Sequence, residues 1–294
     1  MKRYRPLLAM AVLILTVIGF VYYFHKHPGT IHQLTNLSPA TIVGLLAMYC
    51  LTAVSLIIIL DVSLQLCNVK MGYKENLLLT IYSTVVNFFG PLQSGPGVRA
   101  IYLKKRHNVG IKNFLLVSLV YYCFFAFISA VFLLVVSRPW WQTTILLIAA
   151  IIAIFFGYKL VKKKMKITQE MTFSPDLLVK LFLATLLQLS LVAIIYFIEL
   201  HVVNKHISFG QAVTYTGAAN FALFVSLTPG AIGFRESFLL LSHRLHHIST
   251  SNVLAASLID RAIYIVFLGL LLILALGLHA RDRLNIKSVL KEGS

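Results

Sequence analysis

Apolar residues run along this chain in blocks far longer than the alternating patterns of a soluble fold. Six blocks, at 6–24, 39–60, 113–136, 142–160, 177–200 and 253–279, are long enough as helices to cross about 30 Å of hydrocarbon. Two further stretches, 77–103 and 211–241, are apolar but broken near their middle by glycine and proline. The first contains Asn87-Phe-Phe-Gly-Pro-Leu-Gln-Ser-Gly-Pro-Gly-Val-Arg99. The second contains Asn220-Phe-Ala-Leu-Phe-Val-Ser-Leu-Thr-Pro-Gly-Ala-Ile-Gly-Phe-Arg-Glu236. The piece after each break has about ten to thirteen residues, too few for a crossing. Broken backbone at membrane depth is stable only when packed in protein or lining a wet cavity. The pattern therefore predicts an all-α integral membrane protein with about six full transmembrane helices plus two re-entrant broken-helix hairpins. Eight spans is the alternative.

Composition agrees with this class. Hydrophobic residues make up 59% of the 294, charged residues 12%, and the mean hydropathy is +0.87. A soluble domain carries about a quarter charged residues. The net charge of +17 would suit nucleic acid, but the basic residues sit in short connectors between apolar runs. With the N-terminus inside, nineteen fall on one side: Lys2, Arg3, Arg5, Lys70, Lys74, Lys104, Lys105, Arg106, Lys112, Lys159, Lys162, Lys163, Lys164, Lys166, Lys180, Arg281, Arg283, Lys287 and Lys291. Only Lys26, Arg138, Lys205 and Arg244 fall on the other. This asymmetry is that of cytoplasmic loops, so both termini are expected in the cytoplasm and no nucleic-acid partner is expected. Eight spans would leave the same sidedness. No small-x-small cleavage site precedes His25, so the first apolar run is read as a retained helix.

The two broken stretches align with each other. Gln93-Ser94-x-x-Gly97-Val98-Arg99 lies against Pro229-Gly230-x-x-Gly233-Phe234-Arg235, and Asn113 to Leu119 against Asn252 to Leu258. Each half reads as span, span, hairpin, span, an odd number of crossings, so the second half runs upside down. The organisation expected is one membrane domain, 1–294, with inverted halves at about 1–136 and 137–279 and a basic cytoplasmic tail at 280–294. Inverted repeats with broken helices meeting near the midplane are a recurrent transporter design.

Three arginines, Arg99, Arg235 and Arg261, fall in or near apolar sequence. A buried guanidinium is costly unless it meets a partner, water or ligand. A helix beginning near Gly97 or Gly233 would aim free N–H groups into the break, beside Arg99 or Arg235, which suits a phosphate oxygen. The opposing reading has these arginines snorkelling to the interface or pairing with Glu236, Asp260 or Glu199. Arg261 with Glu236 is the expected pair. Asp61 and Glu199, near the ends of their spans, are expected at the interface. His243, His246 and His247, with five other histidines on the outer side, read as polar surface. Cys50, Cys67 and Cys123 have no metal or disulfide spacing. No nucleophile elbow, P-loop or HExxH is present, so neither catalysis nor a cofactor or metal is expected.

The segments Leu227-Thr-Pro-Gly-Ala-Ile-Gly-Phe-Arg-Glu236, Gly90 to Arg99 and Ser257-Leu-Ile-Asp-Arg261 resemble the flippase-like membrane domain of lysylphosphatidylglycerol synthases. The resemblance covers essentially the whole chain. It implies a bacterial or archaeal cell-membrane protein that moves an anionic or aminoacylated lipid between leaflets. The partner implied is a membrane phospholipid or a polyprenyl-phosphate-type lipid. By match to the motif, the implied binding residues are Pro229, Gly230, Gly233, Arg235, Glu236 and Arg261, with Gly97 and Arg99 in the first half. The first half departs from the pattern in having Gln93 for Pro229 and Tyr121-Tyr122 for Asp260-Arg261. The synthases' soluble aminoacyl-transferring domain has no counterpart here, so lysyl transfer is not expected. A non-transporting membrane scaffold or envelope-assembly partner, and a membrane-embedded transferase using a lipid donor, are the competing functions.

Overall fold

The computed structural model describes residues 37–89, 94–135, 141, 142, 144, 145, 171–225, 231 and 234–292, with side chains to 278. All regular structure among them is helical: α1 (Pro39–Leu66), α2 (Tyr73–Phe89), α3 (Gly95–His107), α4 (Ile111–Leu134), α5 (Pro175–Val203), α6 (Phe209–Val225), α7 (Phe234–Leu241), α8 (His243–His246) and α9 (Thr250–Glu292). Among the described residues, four helices are long and apolar enough to cross a membrane: α1, α4, α5 and Thr250–Leu278 of α9. They correspond to four of the six expected spans. The span at 6–24 and nearly all of that at 142–160 lie outside the described residues, as does the break sequence around Gln93.

Local chemistry sets the ends of the long helices. Ser38 and Ser174 accept from the backbone N–H groups of Thr41 and Leu177, at 3.1 and 3.3 Å, and a proline follows each cap at the first helical position. Both devices suit a helix start. Asn68, Asn108 and His247 take left-handed backbone, with φ of 55°, 53° and 55°, and stop the helices before them. Helix α1 continues to Leu66, past the polar Asp61, Ser63 and Gln65. The reason is local: Gln65 Nε2 donates to Asp61 Oδ2 at 2.8 Å, and Ser63 Oγ donates to the Ile59 carbonyl at 2.6 Å.

Helices α1 and α5 pack antiparallel. Tyr49 in the first half of α1 meets Glu199 near the end of α5, while Thr172, just before α5, donates from its backbone to Leu66 at the end of α1. This pairing defines two ends of the bundle. The end holding 66–73, 107–111 and 171–175 carries Lys70, Lys74, Lys104, Lys105, Arg106 and Lys112, with Lys180 close by; the opposite end carries Lys205 and Arg244.

Helices α2 and α3 form a hairpin open at the basic end. Gly95 N–H donates to Asn87 Oδ1 (3.3 Å), Arg99 Nε to Ser83 Oγ (2.7 Å), and Tyr102 OH to Glu75 Oε1 (2.5 Å). Partner numbers fall as α3 advances, so the two arms are antiparallel. The 17 residues of α2 and 13 of α3 both fall short of the roughly 20 needed for a crossing. Helices α6 to α8 fold back in the same way from the opposite end. Gln211 Nε2 donates to the His247 carbonyl at 3.3 Å, and the rings of Tyr215 and His246 lie 5.7 Å apart. The tips of the two hairpins thus approach the interior from opposite ends.

Candidate functional site

Where the tips approach, a cavity of about 280 Å³ opens. The first tip contributes Gly95, Pro96 and Arg99, and the second contributes Ala231 and Arg235. Helix α9 adds Asp260, Arg261 and Tyr264, while Tyr49, Tyr196 and the Tyr121-Tyr122 pair complete an aromatic wall.

Arg235 is the second residue of α7 and is 4% exposed. Its Nη1 lies 2.7 Å from Asp260 Oδ2 and donates to Tyr196 OH at 3.0 Å. Its guanidinium stands over the Tyr196 ring, 5.6 Å from the centroid. Glu236 Oε1 lies between two cations, 3.7 Å from Arg235 Nε and 3.6 Å from Arg261 Nη2. The Arg261–Glu236 pair expected from sequence is therefore present. Arg261 also faces the Phe88 ring at 5.8 Å. Adjacent positions on a helix point different ways, so Asp260 and Arg261 reach separate partners across the site.

Asp260 has a second tie. Tyr49 OH donates to its Oδ1 at 2.6 Å, and the same hydroxyl oxygen lies 3.3 Å from Glu199 Oε1. Glu199 is 1% exposed. It lies near the end of α5, which continues to Val203, and is packed against α1 rather than exposed.

Arg99 is held differently. Its Nε donates to Ser83 Oγ, and among the described residues no carboxylate comes within ion-pair distance of it. The sequence explains the difference. Where α9 carries Asp260-Arg261, α4 carries Tyr121-Tyr122; both tyrosines line the cavity, and Tyr121 OH donates to Gln188 Oε1 at 3.0 Å.

The expected site residues separate into three groups. Arg99, Arg235 and Arg261 converge on one cavity. Glu236 stands beside it without lining it. Pro229, Gly230 and Gly233 lie outside the described residues. Helix α3 begins at Gly95, two residues before Gly97, and Gly97 is exposed, with open space where a Cβ would stand. Gly95 makes the close approach instead. A Cβ there would lie 2.7 Å from the Ser83 carbonyl oxygen and 2.9 Å from Asn87 Cβ. Between Gly230 and Gly233, Ala231 is buried with φ of 57°, a left-handed turn at the second tip. Sequence reasoning missed Tyr49, Tyr196 and Tyr264. The available signal was a hydroxyl in otherwise apolar spans, which needs a partner there.

The histidines expected on the outer side are not uniform surface. His246 is fully buried; its Nε2 donates to the Leu239 carbonyl at 2.9 Å, and its Nδ1 accepts from the Ile248 N–H at 3.1 Å. It staples α7 to the chain entering α9.

Residues 7–272 match the family model described as the lysylphosphatidylglycerol synthase TM region. No curated protein matches the chain.

Proposed function

Because the chain belongs to the lysylphosphatidylglycerol synthase transmembrane-region family, we propose that it moves a lipid or lipid-linked phosphate across the cell membrane, without catalysis of its own. One observation carries this reading: two hairpin tips entering from opposite ends bring Arg99 and Arg235 to one cavity, joined there by Arg261. A phosphate oxygen meets guanidinium forks in that cavity, and each hairpin offers a route toward one leaflet. In this reading the halves 1–136 and 137–279 are an inverted repeat. The basic end faces the cytoplasm, both termini are cytoplasmic, and the membrane is bacterial or archaeal. Glu236 and Asp260 hold Arg235 and Arg261 in place, and a bound phosphate competes with Asp260 for Arg235.

The test is headgroup accessibility in proteoliposomes containing purified protein. Lipid sidedness should relax faster with the wild-type chain than with Arg99→Gln. Unchanged sidedness across phosphatidylglycerol, phosphatidic acid and polyprenyl phosphate would remove the proposal.

The scaffold reading draws on the 2.7 Å Arg235–Asp260 pair, a buried pair whose members each depend on the other. It gives Arg235 a structural role and leaves Arg99 dispensable. Arg99 therefore separates the two readings, whereas Arg235 does not.

A further inference from the structure

Glu199 is a buried acid without a base. It is 1% exposed, near the end of α5. Among the described residues no cation comes within ion-pair distance of it, whereas Asp260 has Arg235, and Glu236 has both Arg235 and Arg261. The hydroxyl oxygen of Tyr49 lies 3.3 Å from Glu199 Oε1. A tyrosine hydroxyl has a single hydrogen to give, and Asp260 Oδ1, closer at 2.6 Å, takes it. Glu199 Oε1 and the Tyr49 oxygen therefore face each other with no hydrogen between them unless Glu199 supplies one. A protonated Glu199 donates to Tyr49, and Tyr49 donates to Asp260, so one hydrogen-bonded chain runs from Glu199 to the partner of Arg235. An ionised Glu199 is a buried charge without a paired cation, a costly state.

The charges around the cavity point the same way. Arg99, Arg235 and Arg261 stand against Asp260, Glu236 and Glu199, so the set is neutral when all six are ionised. A lipid phosphate adds a negative charge to a site already balanced. A proton on Glu199 removes the excess: three guanidiniums then face two carboxylates and one phosphate. The path for that proton is short. Glu199 precedes Val203, the last residue of α5, by about 6 Å of helix rise, and that end of the bundle carries Lys205 and Arg244. The other ionisable groups acting on Glu199 are Asp260 and Arg261 of α9, Arg235 of α7, Tyr49 of α1, Tyr215 of α6 and Tyr196 of its own helix. His246 stands behind Tyr215, with ring centroids 5.7 Å apart. Asp260 is ion-paired, the arginines stay charged, and tyrosine hydroxyls ordinarily titrate at about pH 10. Glu199 is thus the acid in this set placed to gain and lose a proton.

We propose that Glu199 is a proton-binding site loaded together with a lipid phosphate, and that Tyr49 transmits its protonation to Asp260 and so to Arg235. This rests on the translocase reading and deepens it, since the proton becomes the coupling ion. In the step, a proton from solvent forms an O–H bond on Glu199 Oε1, and no bond within the protein breaks. Buried carboxyl groups serve as proton relays in membrane pumps and transporters.

The experiment measures binding of short-chain phosphatidylglycerol to the full chain in detergent, by calorimetry between about pH 5 and 9 in buffers of different ionisation heat. This lipid is a phosphodiester whose own charge is fixed over that range. Wild-type affinity should fall as pH rises, approaching about tenfold per pH unit, with about one proton taken up per lipid bound. Glu199→Gln, which stands in for the protonated acid, should bind independently of pH and take up no proton. If Glu199→Gln does not fold, Glu199→Asp, still an acid, should keep the uptake with a shifted pH midpoint. The deacylated soluble headgroup is the second arm: weaker binding than the lipid marks a lipid site, equal binding marks a free phosphodiester, and the pH slope belongs to both. A wild-type affinity that ignores pH overturns the proposal, as does a slope that survives in Glu199→Gln, which would assign the proton to another group such as His246. If binding is proton-linked yet proteoliposome sidedness never relaxes, the translocase reading fails while the proton site stands. If lipid binds and moves without regard to pH, the proton site fails while translocation stands.

Discussion

Arg235, Arg261 and Arg99 share a cavity but differ in what holds them. Arg235 is buried against Asp260, Tyr196 and Glu236. Removing one member of a buried pair strands the other, at a cost of about 3–5 kcal/mol. Arg235→Ala should therefore lower the melting temperature strongly, as measured by thermal denaturation in detergent. Among the described residues, Arg99 has one hydrogen bond, to Ser83. Its replacement by Gln should cost about 1.5–3 kcal/mol of stability, the range for a hydrogen bond made by a charged group, while abolishing lipid movement. A wild-type transport rate for a folded Arg99→Gln chain would exclude Arg99 from the site.

His246 gives the residue scale a pH dependence. Burial holds its pKa below the usual imidazole value, with His243 and His247 adding to the effect. The unfolded chain therefore protonates first, and stability rises with pH. The neutral ring's contribution is complete above about pH 6.5 and is lost as pH falls through the lower folded value. Protonation of Nδ1 ends its acceptance from Ile248. Hydrogen-exchange protection of 238–249 should fall below about pH 6 in the wild-type chain. In His246→Ala it should be low at all pH values; a pH-independent wild type would contradict the assignment.

At the scale of elements, small residues decide how closely helices approach. Gly217 in α6 faces α4. A Cβ there would lie 2.7 Å from the Ser129 carbonyl oxygen and would also collide with the Leu133 backbone. Ala218, Ala219 and Ala222, each at most 2% exposed, keep neighbouring positions of α6 small as well. Membrane helices associate through such close packing. Gly217→Val should destabilise by about 1–3 kcal/mol through overpacking, read as a lower melting temperature, whereas Gly97→Ala, with open space at its Cβ, should have little effect. Gly95→Ala should open the first hairpin and displace Arg99, which a fall in lipid binding would report. The pairing of broken segments into hairpins was legible in sequence, because Gly/Pro breaks and short limbs are local features. The start of α3 was not. Gly95, not Gly97, meets α2, and only the packed neighbour reveals which glycine lacks room for a side chain.

For the molecule as a whole, sidedness is the quantity to measure. In a chain with Cys50, Cys67 and Cys123 replaced by alanine, single cysteines at Lys70 and Lys104 should label from the cytoplasmic face and one at Lys205 from the outside. Labelling of Lys70 and Lys104 from opposite faces would make α2 and α3 something other than a re-entrant hairpin.

The amino-acid sequence alone determined the solvent and the kind of element. Hydrocarbon demands long apolar helices with satisfied backbones, and that demand is written in contiguous residues. It also marked the three arginines, because charge in an apolar run stands out locally. Which partner each arginine meets was decided only by the tertiary structure. Tyr49 and Asp260 touch across 211 positions, and Tyr196 reaches Arg235 across 39. Glu199 is buried because α1 lies against it, and Arg99 meets no carboxylate among the described residues because tyrosines stand where the other half has Asp260-Arg261. These outcomes depend on the close packing of α1, α5 and α9 around the hairpin tips, and no local pattern encodes that packing.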